Sequence, residues 1–188
     1  MAEIIEPGAH IIFMKVGTHA QESLEAIIAR KRKEIEEAGF ALWGYGGNTC
    51  HPISTVQPFA RSYEKRGGVI YLCMQPMESH HFAVPDRATE FSVDGLRWEA
   101  IHPAINVLGS RYALAIKDLN QEDFELPLER TRVAVGTSAG RPGSRYIAGR
   151  VDKACLEVGE DIVVGEQRQI HIGLTAQVVE PYAVLVRN

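Results

Sequence analysis

Side chains capable of binding or reaction concentrate in two glycine-rich segments of the 188-residue chain. The first, residues 44–52, has three glycines within four residues, which lets backbone approach a bound molecule closely. It also follows a predicted short strand, and open α/β sheets bind ligands where strands end. The predicted ligand-binding residues here are Trp43, Gly44, Tyr45, Gly46, Gly47, Asn48 and Thr49. The alternative is a long turn whose Asn48 and Thr49 satisfy the backbone.

A cysteine and a histidine at the end of this segment suggest nucleophilic chemistry. Cys50 would supply the thiolate, but the adjacent His51 projects in a different direction in most backbone conformations, so a working base normally comes from elsewhere. His19, just after the first predicted strand, is the natural candidate if the first two strands are neighbours. The candidate catalytic residues are therefore Cys50, His51 and His19, and the alternative is an ordinary structural thiol.

The second glycine-rich segment, residues 136–145, follows an apolar predicted strand and precedes a predicted helix. A helix N-terminus after such a loop offers free N–H groups to an anion, and arginines can clamp a phosphate or carboxylate. The predicted anion-binding residues are Gly136, Thr137, Ser138, Gly140, Arg141, Ser144 and Arg145. The glycine spacing matches neither the dinucleotide fingerprint nor the P-loop. A plain strand-to-helix connection has the same composition.

Other polar clusters do not indicate a site. The histidines lack the spacing of metal ligands, so no metal is predicted, and no cofactor is indicated. The basic run at residues 30–33 precedes acidic residues at i,i+4 spacing, in the pairs Arg30/Glu34, Arg32/Glu36 and Lys33/Glu37. This pattern predicts a solvated helix face rather than a phosphate-binding patch.

Composition narrows the class of protein. The formal net charge of −4 argues against a broad nucleic-acid surface or a general attraction to membranes. An odd number of widely spaced cysteines favours a reducing compartment, and the N-terminus lacks the positive charge of a signal peptide. No apolar run reaches the roughly eighteen residues of a membrane span. These features predict a soluble, cytoplasmic protein and leave its oligomeric state open.

The element pattern predicts one globular domain over residues 1–188, of the mixed α+β class. Strands at residues 10–16, 40–43 and 69–74 alternate with two helices, the first capped by Thr18 and Gln21 and ended by Gly39. An Asp94–Gly95 turn predicts a hairpin, and a third helix is expected between residues 142 and 158. The prediction is a mixed sheet of six to nine strands with about three helices, an N-terminal βαβαβ being followed by antiparallel strands.

Three function classes fit these features. The leading one is a binding domain for a small, anionic, nucleotide-like molecule, catalytic or not, with its site between the two glycine-rich loops. The second is a non-catalytic interaction module that uses a sheet edge or residues 74–77. The third is a reader of single-stranded nucleic acid or modified bases that stacks a base on Trp43 or Tyr45.

Overall fold

The computed structural model describes residues 2–17, 22–46, 50–78, 86–148, 151–160 and 168–188. In these residues a single mixed sheet of nine strands is accompanied by three α-helices, which confirms the predicted mixed α+β class. The strands are β1 (His10–Val16), β2 (Ala41–Gly44), β3 (Ile70–Pro76), β4 (Glu90–Ser92), β5 (Glu99–Ala100), β6 (Tyr112–Pro127), β7 (Thr131–Val133), β8 (Lys153–Val158) and β9 (Gln169–Arg187). The helices are α1 (Leu24–Ala38), α2 (Gln57–Glu64) and α3 (Gly143–Tyr146).

Local sequence signals explain the limits of α1. Its N-cap is Ser23, whose Oγ accepts a hydrogen bond from the Ala26 N–H at 3.2 Å. Gly39 ends the helix with a φ of 84°, as predicted, because the left-handed conformation costs glycine little. The predicted cap formed by Thr18 and Gln21 lies outside the described residues. The helix begins later than predicted, at Leu24.

The strand order of the main sheet is β2-β6-β9-β3-β1-β8-β7, with β4 paired to β5 and β9. Only β1 and β3 pair in parallel among the described strands, and every other pairing is antiparallel. Three strands separate β1 from β2, so the first two strands are not neighbours. The condition that would have placed His19 beside the first glycine-rich loop is therefore not met.

The predicted third helix is wrong over most of its length. Among the described residues of this segment only the single turn of α3 is helical, and the last six residues form β8, which pairs with both β1 and β7. β8 is buried on both faces of the sheet, with Cys155 in one hydrophobic cluster and Ala154 and Leu156 in the other, so its apolar residues form a run without period-two alternation. Such a run cannot be distinguished from a buried helix by periodicity alone.

The predicted hairpin is confirmed. β4 and β5 pair antiparallel, and Gly95 in their connection has a φ of 78°. The Asp94 carboxylate fixes the turn by accepting hydrogen bonds from the N–H groups of Leu96 and Arg97 at 2.8 and 2.9 Å. In the described part of the chain, no helix combines the length and apolar character that crossing a membrane requires.

The two faces of the sheet pack into separate hydrophobic clusters. Alternate residues of β1 divide between them: Ile12 joins the cluster that contains α1 and α2 residues, and Ile11 joins the opposite one. The cysteines divide in the same way. Cys50 and Cys155 lie in the helix-side cluster, whereas Cys73 lies in the other.

Candidate functional site

A cavity of about 580 Å³ opens where several strands end. Its wall takes residues from the end of β1, from the end of β2 and the loop after it, and from one side of α1. Residues 106–111, which precede β6, complete it together with Asp152 and Lys153 at the start of β8. Although three strands separate β1 from β2, both line the same cavity, so the sheet must curve around this space.

Positive charge dominates the cavity wall. Five basic side chains line the cavity, whereas only two carboxylates do, those of Glu22 and Asp152. The basic residues are Lys15, Arg30, Lys31, Arg111 and Lys153. The guanidinium of Arg111 makes no hydrogen bond or ion pair within the part of the chain that the structure describes. Lys153 is buried, and its ammonium lies 3.0 Å from a carboxylate oxygen of Asp152. The wall can therefore present cations to an anionic molecule.

Two neighbouring basic residues of α1 hold the cavity wall in place. The Lys31 ammonium donates hydrogen bonds to Glu34 at 2.8 Å, to the Leu42 carbonyl at 2.6 Å and to the Asn106 carbonyl at 2.7 Å. Arg30 donates to the same Asn106 carbonyl at 3.0 Å. This network, to which Glu22 and Glu34 contribute carboxylates, ties α1 to β2 and to the segment before β6.

The solvated-face interpretation of residues 30–33 is therefore only half right. The predicted pairs Arg30/Glu34 and Lys33/Glu37 form, at 3.1 and 3.6 Å, and Lys33 is exposed. Lys31 and Glu34, however, are buried. Burial lowers the pKa of Lys31 to about 8, while the neighbouring Glu34 carboxylate opposes that shift.

Asn106 offers an unused acceptor at the cavity. Its backbone is fully engaged, because its carbonyl accepts from Arg30 and Lys31 and its N–H donates to Glu34 at 3.1 Å. Its side-chain Oδ1 is buried and has no hydrogen-bond partner among the described residues. Leaving a buried polar atom unpaired costs about 1–3 kcal/mol, so a donor on a bound molecule would find a favourable place here.

The first glycine-rich loop serves the cavity through packing. Trp43, Gly44 and Gly46 line it, and Trp43 and Tyr45 are themselves buried. A Cβ on Gly44 would collide with the Ser110 Oγ, and one on Gly46 would lie 3.6 Å from the Ser110 Cα. Gly44 thus lets the segment before β6 approach β2 closely. Gly47, Asn48 and Thr49 lie outside the described residues.

The second glycine-rich loop contributes nothing to this cavity wall. Gly136 and Gly140 adopt φ values of 86° and 85°, and the Gly140 N–H donates to the Val133 carbonyl at 2.8 Å. The loop therefore turns back on its own strand, and Arg141 and Arg145 are exposed. Anion binding by Gly136, Thr137, Ser138, Gly140, Arg141, Ser144 and Arg145 stays a prediction, separate from the cavity.

Cys50 lies against another thiol. The Cys155 Sγ donates a hydrogen bond to the Cys50 Sγ across 3.7 Å, and both side chains are buried. The ring of His51 packs edge-on against Tyr112, with 5.4 Å between ring centroids. His19 lies outside the described residues. The structure thus shows no nucleophile–base pair among the described candidates.

Electrostatics distinguishes the three thiols. The hydrogen bond from Cys155 holds the pKa of Cys50 below its ordinary value against the effect of burial, and Tyr45 and Lys153 act in the same direction. The buried Tyr45 hydroxyl has no hydrogen-bond partner among the described residues, although it lies close enough to Cys50 to influence its pKa. The same hydrogen bond, together with burial, raises the pKa of Cys155. Burial raises the pKa of Cys73 far above the ordinary range.

Several residues of the site were not predicted from the sequence. They are Lys15, Arg30, Lys31, Asn106, Arg111 and Lys153. One signal was present: Lys31 stands four residues after Ile27 and three after Ile28, on the apolar face of α1. A lysine at a core-facing position indicates a buried charge with partners. No local sequence pattern marks the other five residues as part of a site.

Comparisons with protein-family models, with curated proteins and with solved structures find no match.

Proposed function

We propose that this protein binds a small anionic molecule in the cavity between α1, the ends of β1 and β2, and the segment before β6. The observation that carries the proposal is the set of five basic side chains on the wall of one cavity. Glu22, Glu34 and Asp152 neutralise part of this positive charge, and a bound anion offsets the remainder. The volume of about 580 Å³ falls within the range of roughly 300–1,000 Å³ that is usual for small-molecule sites.

The polar and aromatic groups of the wall favour a nucleotide-like ligand. A base could contact Trp43 and donate to the free Oδ1 of Asn106, while the phosphates contact Arg111 and Lys153. The hydrogen bonds around Lys31 fix the position of Asn106 before binding, which reduces the entropic cost of ordering the site when a ligand binds. The cytoplasm, where such metabolites are abundant and thiols stay reduced, is the proposed location.

Thermal unfolding against a panel of nucleotides and phosphorylated metabolites tests the proposal. A true ligand at about a hundred times its dissociation constant stabilises the fold by about 2.7 kcal/mol. Arg111→Ala should reduce this stabilisation, whereas Lys33→Ala, on the exposed side of α1, should not. Arg32 is unsuitable as a second control, because its guanidinium donates a hydrogen bond to the Leu119 carbonyl.

The other outcomes discriminate between function classes. Absence of stabilisation across the panel would contradict the proposal and favour an interaction module. Binding of single-stranded oligonucleotides with a steep salt dependence would favour the reader of single strands, because each neutralised phosphate releases counterions.

A further inference from the structure

Two cysteines from distant parts of the chain form a buried pair. Cys50 precedes the helical segment of residues 52–64, Cys155 lies in the middle of β8, and their sulfur atoms are 3.7 Å apart. A disulfide requires an S–S distance of about 2.05 Å, so closure needs an approach of under 2 Å. Cys73 lies in the cluster on the opposite face of the sheet and serves as an internal reference.

We propose that Cys50 and Cys155 are a redox-active dithiol, which a hydroperoxide oxidises to an intramolecular disulfide. In the first step the Cys50 thiolate attacks one oxygen of the hydroperoxide ROOH, the O–O bond breaks, and the departing RO− takes a proton from solvent to become an alcohol, or water when the oxidant is hydrogen peroxide. Cys50 is then a sulfenic acid. In the second step the Cys155 sulfur attacks the Cys50 sulfur, the S–O bond breaks, and the hydroxyl leaves with the Cys155 proton as water. Two thiols and one hydrogen peroxide thus give one disulfide and two waters.

The geometry assigns the order of attack. The contact of 3.7 Å between the two sulfur atoms lets the Cys155 thiol donate a hydrogen bond to a thiolate on Cys50. Lys153, two residues before Cys155, adds a positive charge that favours the Cys50 thiolate. Cys50 keeps 5% of its surface exposed against 1% for Cys155, so a small oxidant reaches Cys50 first.

Peptide mapping of the oxidised wild-type protein tests this inference. Reduced protein, freed of reductant, is treated with hydrogen peroxide, digested without reduction and analysed by mass spectrometry. We expect a peptide linked between Cys50 and Cys155, with the number of free thiols falling from three to one and dithiothreitol restoring all three. Retention of all thiols, a link that involves Cys73 or a second chain, or sulfinic acid on Cys50 with Cys155 free would overturn it.

Single variants separate the two steps. In Cys155→Ala the sulfenic acid on Cys50 should persist and be trapped by dimedone, whereas Cys50→Ser should leave Cys155 unoxidised. Cys73→Ala, the matched control, should still form the disulfide. If Cys155→Ala fails to fold, the wild-type map alone decides. None of these measurements involves a ligand, so their results test the dithiol independently of the proposed anion site.

Discussion

The two glycine-rich loops have similar compositions but different surroundings. The first lies against the segment before β6, where Gly44 and Gly46 meet Ser110, and it forms part of a cavity wall. The second turns back on β7, and nothing lies within 4 Å of a Cβ built on Gly136 or Gly140. A cavity requires an opposing wall, and only the first loop has one, supplied by α1 and held by buried ion pairs. Glycine content alone therefore does not identify a binding loop.

The largest expected effect concerns the ion pairs of this opposing wall. Glu34→Gln leaves the buried Lys31 ammonium without its carboxylate, and breaking a buried pair in this way costs about 3 kcal/mol or more. Glu37→Gln, the matched change at the exposed pair with Lys33, should cost under about 1 kcal/mol. Urea unfolding measures both. Equal effects of the two variants would mean that the network does not hold the wall.

A pH dependence of stability should follow from the same network. The pKa of Lys31 is about 8 in the folded protein, and that of an unfolded lysine is about 10.4. Between these values the unfolded chain binds more protons, so the contribution of Lys31 to the free energy of unfolding rises with pH, by an order of 1–3 kcal/mol. Below about pH 7 both states hold the proton and this contribution is constant. Urea unfolding from pH 7 to 10.5 should show a rise that Lys31→Met lacks, and equal slopes for both proteins would contradict the assignment.

Smaller changes in the free energy of unfolding are expected from glycine substitutions in the two loops, and they distinguish the surroundings of the loops. Gly44→Ala should destabilise the fold by about 1 kcal/mol because the new methyl group meets Ser110, and Ser110→Gly should relieve most of that loss. Gly136→Ala should reduce the free energy of unfolding by a similar amount, because alanine is strained at a φ of 86°. Ser110→Gly should not change that loss. A double-mutant cycle measures the difference. Energetic coupling between Ser110 and Gly136, or no coupling between Ser110 and Gly44, would contradict the conclusion that only the first loop packs against the segment before β6.

Sequence reasoning succeeded where local chemistry decides structure. The limits of β1 followed from an apolar run that ends at Gly17, the end of α1 from Gly39, and the hairpin from Asp94–Gly95. In each case one or two residues set the backbone conformation without help from distant contacts. The mixed α+β class followed from the order of these elements.

Prediction from the sequence failed where contacts between residues distant in the chain determine the structure. β8 could not be recognised because its burial depends on the hydrophobic clusters on the two faces of the sheet, whose residues come from distant parts of the chain. The contact between Cys50 and Cys155 spans 105 positions, and no spacing rule predicts it. Arg111 and Asn106 belong to the site only because the curved sheet brings their segment to α1. Only Lys31, on the apolar face of its helix, could have been found in advance.

Whether the ligand binds in the cavity is decided by titration calorimetry, which measures the affinity of the most stabilising nucleotide or metabolite for the wild-type protein, Arg111→Ala and Arg145→Ala. Arg111→Ala should weaken binding roughly ten- to a hundredfold, because a charge-assisted hydrogen bond contributes about 1.5–3 kcal/mol. Arg145→Ala, in the second loop, should leave the affinity within a few tenths of a kcal/mol. If Arg145→Ala abolishes binding and Arg111→Ala does not, the ligand binds at the second glycine-rich loop and the cavity is not the site.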